Sequence, residues 1–205
     1  MSAPVIGLRE LKKQMSRETI ADAALQLTLQ KGLQDVTLDE IAQVAFVSPR
    51  TVSNYFSAKE EAVIAAGTPD WLAVVEAFGE GPTTERPLAA LCELVTDFLE
   101  PRGQHELELI VQLLTLVDEH PSLRPYQTAE YDKLEEALRE RVADRTDTDP
   151  GTTMYPWLVA AAAVSAIRSA LGLWHRTGAP EGALPGLLET AFSQISDGLP
   201  APRSR

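Results

Sequence analysis

The stretch from Thr37 to Phe56, Thr-Leu-Asp-Glu-Ile-Ala-Gln-Val-Ala-Phe-Val-Ser-Pro-Arg-Thr-Val-Ser-Asn-Tyr-Phe, constrains this chain most. It reads as two short helices joined by a tight turn. Thr37 and Glu40 have the spacing of a capping box, in which each side chain accepts from the other residue's backbone N–H. Leu38, Ile41, Ala42 and Ala45 give that helix its apolar side. Ser48 is the next N-cap, and Pro49 follows at the first helical position, where its missing N–H costs nothing. Val52 and Phe56 then point inward at i and i+4, and the remaining faces carry Arg50, Thr51, Ser53 and Asn54. A second helix that is short, polar and basic where a core helix is apolar suits a reader of the DNA major groove.

The flanks extend this unit. Ile20, Ala23, Ala24 and Leu27 form an apolar stripe on a helix over about Ser16 to Lys31, and Gly32 stands where a C-terminal glycine belongs. Residues 1–8 read as disordered. Ser57 to Glu60 reads as another capping box opening a fourth helix, which ends near Ala66. From Trp71 onward the pattern stays helical, interrupted by Gly/Pro/Thr segments, and no segment alternates as strands do. Met154 to Arg176 is apolar nearly all round and is expected to be buried.

The net charge of −12 is unusual for a DNA binder, so its distribution matters. Residues 1–67 hold 7 basic and 8 acidic groups, and residues 1–17 alone are net +3. The acidity is concentrated after residue 67, where it favours solubility and disfavours indiscriminate adhesion to nucleic acid. Cys92 is the only cysteine, so a disulfide framework and a thiolate metal cluster are both excluded, and the cytoplasm is the expected compartment. The longest apolar run, Trp157 to Ala163, is far short of the roughly 20 residues that span a bilayer. No membrane association, metal or cofactor is expected.

Residues 14–74 are expected to form the DNA-binding domain, with the motif at 37–56, and residues 75–205 a larger helical domain. The first 67 residues resemble the N-terminal module of TetR-type transcriptional regulators. The resemblance rests on Gly32, Val36-Thr37, Glu40-Ile41-Ala42, Ala45, Val47-Ser48, Thr51, Tyr55-Phe56 and Ser57, Lys59, Glu60 and Glu61, all in register. Glu119-His120-Pro121-Ser122-Leu123-Arg124 resembles a segment of the family's less regular C-terminal helices. The resemblance implies an all-α homodimer with nine or so helices per subunit, a palindromic double-stranded operator and a small-molecule effector that releases it. It also implies that Thr37, Tyr55 and Lys59 meet phosphate. Two residues depart from the family pattern: Phe46 replaces a glycine in the turn, and Thr28 replaces a phenylalanine whose space Leu29 is expected to fill.

The expected DNA contacts are thus Thr37, Ser48, Arg50, Thr51, Ser53, Asn54, Tyr55 and Lys59. Arg9, Lys12, Lys13 and Arg17 join them, either tracking phosphates or entering the minor groove as an arm. Candidate effector contacts are Cys92, Phe98, Gln112, Thr115, Tyr126, Tyr131, Trp157 and Trp174, chosen because they lie in the helices that enclose family pockets. Few charges are expected inside, which favours an apolar or amphipathic effector. Small residues at Ala160 to Ala163, Ser165, Ala166, Ser169 and Ala170 suit close helix approach between two subunits. Catalysis is not expected: His105-Glu106 opens like a zinc-protease motif, but Leu109 stands where the second histidine must be. The competing reading is a helical small-molecule-binding or interaction protein whose DNA-reading head is degenerate.

Overall fold

The computed structural model describes residues 8–82, 86–100 and 104–201, and the side chains of 8–10, 104 and 105 are not among those described. The described residues form ten α-helices and two single 3-10 turns, with no strand among them. They pack as two units. One runs through Thr68 and includes residues 115–127; the other holds Pro69–Leu114 and the chain from Thr128 onward. The sequence suggested a single boundary at 74/75. The packing divides the chain at the Thr68-Pro69 break instead, and also draws in a later segment.

The first unit begins with α1 (Leu8–Lys31). It starts well before Ser16, so the basic lead-in is helical; apart from Leu8, the residues expected to be disordered lie outside the described ones. Ile20, Ala21, Ala23, Ala24 and Leu25 are buried. Leu27 is only partly so, because the buried stripe continues through Thr28. Thr28 is 2% exposed, and its hydroxyl donates back to the Ala24 carbonyl (2.8 Å). This satisfies the buried hydroxyl where a phenylalanine was expected. Leu29 does not fill that space; it is 47% exposed.

Gly32 ends α1 at φ 87°, a conformation that would strain a side-chain-bearing residue. A 3-10 turn, Leu33–Asp35, leads to α2 (Leu38–Val44), α3 (Pro49–Tyr55) and α4 (Lys59–Gly67). α1 packs against α4 and α2, and α2 packs against α3. Ile41, Val52, Phe56, Val63 and Ile64 fill the space between them. The box expected at Ser57 is displaced by one residue. Ala58 is the N-cap of α4, while the Ser57 N–H and hydroxyl both donate to Glu61 (2.8 and 2.7 Å). The 3-10 turn Pro121–Leu123, resembling the family in sequence, seats fully buried Leu123 and packs on α4.

The second unit contains α5 (Trp71–Glu80), α6 (Pro87–Leu99), most of α7 (Gln104–Glu119), most of α8 (Arg124–Thr146), α9 (Tyr155–Arg176) and α10 (Ala183–Ser196). α6 packs against α5, α9 and α10, and α9 against α10. Phe78, Leu91, Leu138, Ile167 and Leu188 form the centre of the core. Arg145 ties α8 to the end of α5. Its guanidinium stacks 4.5 Å from the Phe78 ring centroid and donates to the carbonyls of Phe78 and Pro82.

α9 is not buried all round. Its length and hydropathy would suffice to cross a membrane, and half of that apolar window is buried within the unit. Ala160, Ala163, Ala166 and Ala170 face the core, so these four small residues serve packing within one chain. Ser165 and Ser169 remain open, flanked by exposed Leu158 and Leu173. The outer side is mixed, with Arg168 beside those serines and leucines, and no described residue covers it.

Candidate nucleic-acid interface

The recognition helix α3 is held at its start by Ser48, whose hydroxyl accepts from the Thr51 N–H (3.1 Å). The Ser48 and Thr51 hydroxyls also bond each other (2.8 Å). Two protons and one mutual bond leave this pair one O–H donor for an outside acceptor. Val52 is buried and Phe56 is 2% exposed, which turns the opposite side of α3 outward. Arg50 and Asn54, four residues apart, share that outer face. Neither makes a hydrogen bond to a described residue, so both retain their full donor capacity. Thr51 and half-buried Tyr55 form the neighbouring row. The Ser53 hydroxyl is exposed but donates back to the Pro49 carbonyl (3.2 Å).

Thr37 is bound up in its cap. Its N–H (2.9 Å) and hydroxyl (2.7 Å) both donate to Glu40 Oε2, and its Oγ1 accepts from the Glu40 N–H (3.3 Å). Lys31 closes the cluster on Glu40 Oε1 at 2.5 Å. The Lys31 ammonium, then the Thr37 hydroxyl and N–H, hold the Glu40 carboxyl down from 4.5 to about 2. A phosphate contact through the Thr37 hydroxyl therefore requires its proton to leave Glu40.

Lys59 differs from the sequence expectation. Its ammonium donates to three carbonyls, those of Leu33 (2.7 Å), Gln34 (3.2 Å) and Val36 (2.8 Å). An ammonium has three protons, and these bonds use all of them. Lys59 is thus a tie between α4 and the turn after α1, and its ammonium is not a free phosphate clamp. The spacing to Leu33, 26 residues away, carried no sequence signal.

The basic residues before the motif also move from their expected form. Lys12, Lys13 and Arg17 lie on α1, so from Leu8 onward the chain is a helix and not a flexible arm. Lys12 and Lys13 are exposed. Arg17 is half-buried and stacks 5.0 Å from the Phe56 ring centroid, fixing a charge beside the recognition helix. The Arg9 side chain lies outside the described residues.

The second unit holds a cavity of about 750 Å³ between the end of α6, the middle of α7 and the α9–α10 corner. Leu99, Leu107, Val111, Leu184 and Trp174 give it an apolar wall, with Gln112, Glu100, Glu108 and Glu181 as polar members. Of the effector candidates, only Gln112 and Trp174 line it. Trp174 is anchored by its indole N–H to the Pro180 carbonyl (3.0 Å). The other six lie elsewhere. Cys92 packs against the core, where burial pushes its thiol pKa up. Phe98 packs against Trp71, and Tyr131 lies beneath Arg168, with its phenol pKa raised by burial. Trp157 is 47% exposed and stacked by Arg139, and Thr115 and Tyr126 belong to the first unit. Place in the pocket-enclosing helices marked the candidates, but the cavity wall is drawn mainly from aliphatic side chains at other positions.

Comparison with known proteins agrees with this geometry. Residues 20–66 match the family model of bacterial regulatory proteins of the tetR family. Residues 85–200, more than half of the chain, match the model of the MftR C-terminal domain, a TetR-type C-terminal domain. The chain is similar to the HTH-type transcriptional regulator TcmR of Streptomyces glaucescens, 28% identical over 160 residues, covering 76% of this chain and 71% of TcmR. It is also similar to the regulator BetI of Rhizobium meliloti (strain 1021), 37% identical over 62 residues, which are 30% of this chain and 29% of BetI. Among solved structures, Thermus thermophilus FadR, a TetR-family repressor in complex with lauroyl-CoA, shares the fold. It has a TM-score of 0.55 and 20% identity, over 92% of this chain and 97% of that one. A TetR-family regulator from Mesorhizobium loti MAFF303099 does so with a TM-score of 0.53 and 20% identity, over 92% and 96%.

Proposed function

The chain belongs to the TetR family of bacterial regulatory proteins, and from that premise we propose that it is a ligand-responsive repressor acting on a palindromic operator in the cytoplasm. The observation that carries this is the outer face of α3. Arg50 and Asn54 stand free there, and the Ser48/Thr51 pair keeps a spare donor, on a helix anchored by Val52 and Phe56. Arg50 reads a guanine edge or holds a phosphate, and Asn54 suits adenine. The Tyr55 hydroxyl, Lys12, Lys13 and Arg17 position the backbone, and Arg9 is carried with them on the sequence alone. The first-turn N–H groups of α4, including that of Lys59, complete the phosphate contacts, and Thr37 joins them by turning its hydroxyl proton away from Glu40.

The protein acts as a homodimer through the open side of α9, and the two half-sites of a palindromic operator lie ~34 Å apart, one turn of DNA. The effector is an amphipathic small molecule that enters the α6–α7–α10 cavity against Leu107, Val111 and Trp174, with Gln112 in the same wall for its polar part. Native mass measurement of co-purified ligand tests this. A ligand found in the wild type and lost in Val111→Trp supports the assignment, and one retained in that variant counts against the cavity.

Arg50→Ala is expected to weaken operator binding by about 1–3 kcal/mol with the fold intact by circular dichroism. Tyr55→Phe is expected to weaken it less and, because a neutral hydroxyl releases no counterion, to leave the salt dependence unchanged. A variant series with unchanged affinity would favour the degenerate-head reading.

A further inference from the structure

Phe46 occupies the turn between α2 and α3 in the left-handed region, at φ 55°, and is 95% exposed. Both features cost free energy. A side chain at positive φ crowds its own backbone, and a phenyl ring left in water forgoes the gain of burial. The turn is closed without the ring: the Phe46 N–H donates to the Gln43 carbonyl (3.3 Å), and the Val47 N–H to the Ala42 carbonyl (2.9 Å). Glycine would satisfy the same backbone at lower cost. Among the described residues nothing covers the ring to repay the strain, and strain of this kind concentrates at functional positions.

The ring's position identifies its partner. Phe46 lies two residues before the N-cap Ser48 and three before Pro49, the first residue of α3. Three residues of chain span at most ~11 Å, so the ring belongs to the neighbourhood of the helix end that enters the groove. The one apolar group on the floor of the major groove is the thymine methyl. We propose that Phe46 is a specificity-determining contact of the operator complex, packing its ring against a thymine methyl and the adjoining deoxyribose beside the Ser48/Arg50 contacts. This rests on the reading of α3 as the recognition helix. The ring carries no charge, so its contribution is sequence-dependent and insensitive to salt.

The test uses the full-length protein and a duplex selected by the wild type from random DNA. Phe46→Ala and Phe46→Gly are expected to bind the selected duplex roughly fivefold more weakly, with unchanged salt slope and unchanged affinity for bulk DNA. Phe46→Gly is expected to melt above the wild type, so that its loss of binding cannot be attributed to unfolding. Replacing thymine by deoxyuridine at one position of each half-site is expected to weaken the wild type and leave Phe46→Ala unaffected. Variants that bind the selected duplex as the wild type does, while Arg50→Ala loses it, overturn the Phe46 contact alone. Equal loss on selected and bulk DNA overturns its specificity role. Loss of self-association with DNA binding intact makes a second copy the partner and overturns it too. A wild type that selects no duplex removes the recognition reading on which the contact depends.

Discussion

Lys59 and Thr37 show how a residue type can be identified correctly and its task read differently from its contacts. Both fit phosphate from their place in the motif, yet Lys59 Nζ is committed to three carbonyls and Thr37 to Glu40. Lys59→Met is therefore expected to cost stability, about 1.5–3 kcal/mol for a charged donor leaving partly buried acceptors, measured by urea denaturation. It should leave the salt slope of DNA binding intact. A stable variant whose slope falls by about one unit would restore Lys59 as a phosphate ligand. The sequence made the core side of α3 legible because Val52 and Phe56 are fixed by helical period alone. The resemblance to the family also marked Phe46 as anomalous, because the family pattern has a glycine in that turn. Neither could show that the ring stands bare, or that Lys59 reaches back to Leu33, because both depend on the packed structure.

At the level of elements, the caps of α2 and α3 were the most legible feature. Thr37 and Ser48 cap α2 and α3 with the bonds their spacing implied, because a cap is a local arrangement of four residues. Helix extent was less so: α1 begins at Leu8 because nothing in Arg9 to Ser16 breaks a helix once the apolar stripe has nucleated it. The start of α2 carries a pH signature. The folded state lowers the Glu40 carboxyl to about 2. A lowered carboxyl contributes stability that is fully present above its ordinary value of 4.5 and is lost as pH falls through about 2. Glu40→Gln should therefore shallow the acid limb of thermal stability below pH 4.5, with the difference from wild type vanishing near pH 2. Superimposable acid limbs would mean that the Lys31–Glu40–Thr37 cluster contributes nothing. α9 was misjudged because composition does not distinguish a helix buried all round from one that leaves one side exposed.

For the whole molecule, the separation of charge was legible in the sequence and is functionally informative. The acidity lies largely beyond residue 67, leaving the recognition head near neutral with its basic groups on α1, α3 and α4. Such a chain binds DNA where shape and base contacts support it and resists bulk adhesion. The cavity walls were the least legible feature, since which aliphatic side chains converge depends on how α6, α7 and α10 pack. The open face of α9 predicts a dimer: Leu158→Arg with Leu173→Arg should give a monomer by light scattering at concentrations where the wild type is dimeric. A wild type monomeric at micromolar concentration would refute it. The most direct measurement is competition binding of the wild type to DNA from around its own gene against bulk DNA over a range of salt. A preferred duplex with two half-sites one helical turn apart, bound more weakly by Arg50→Ala, is the expected result. A wild type with no preference over bulk DNA at any salt concentration would contradict it.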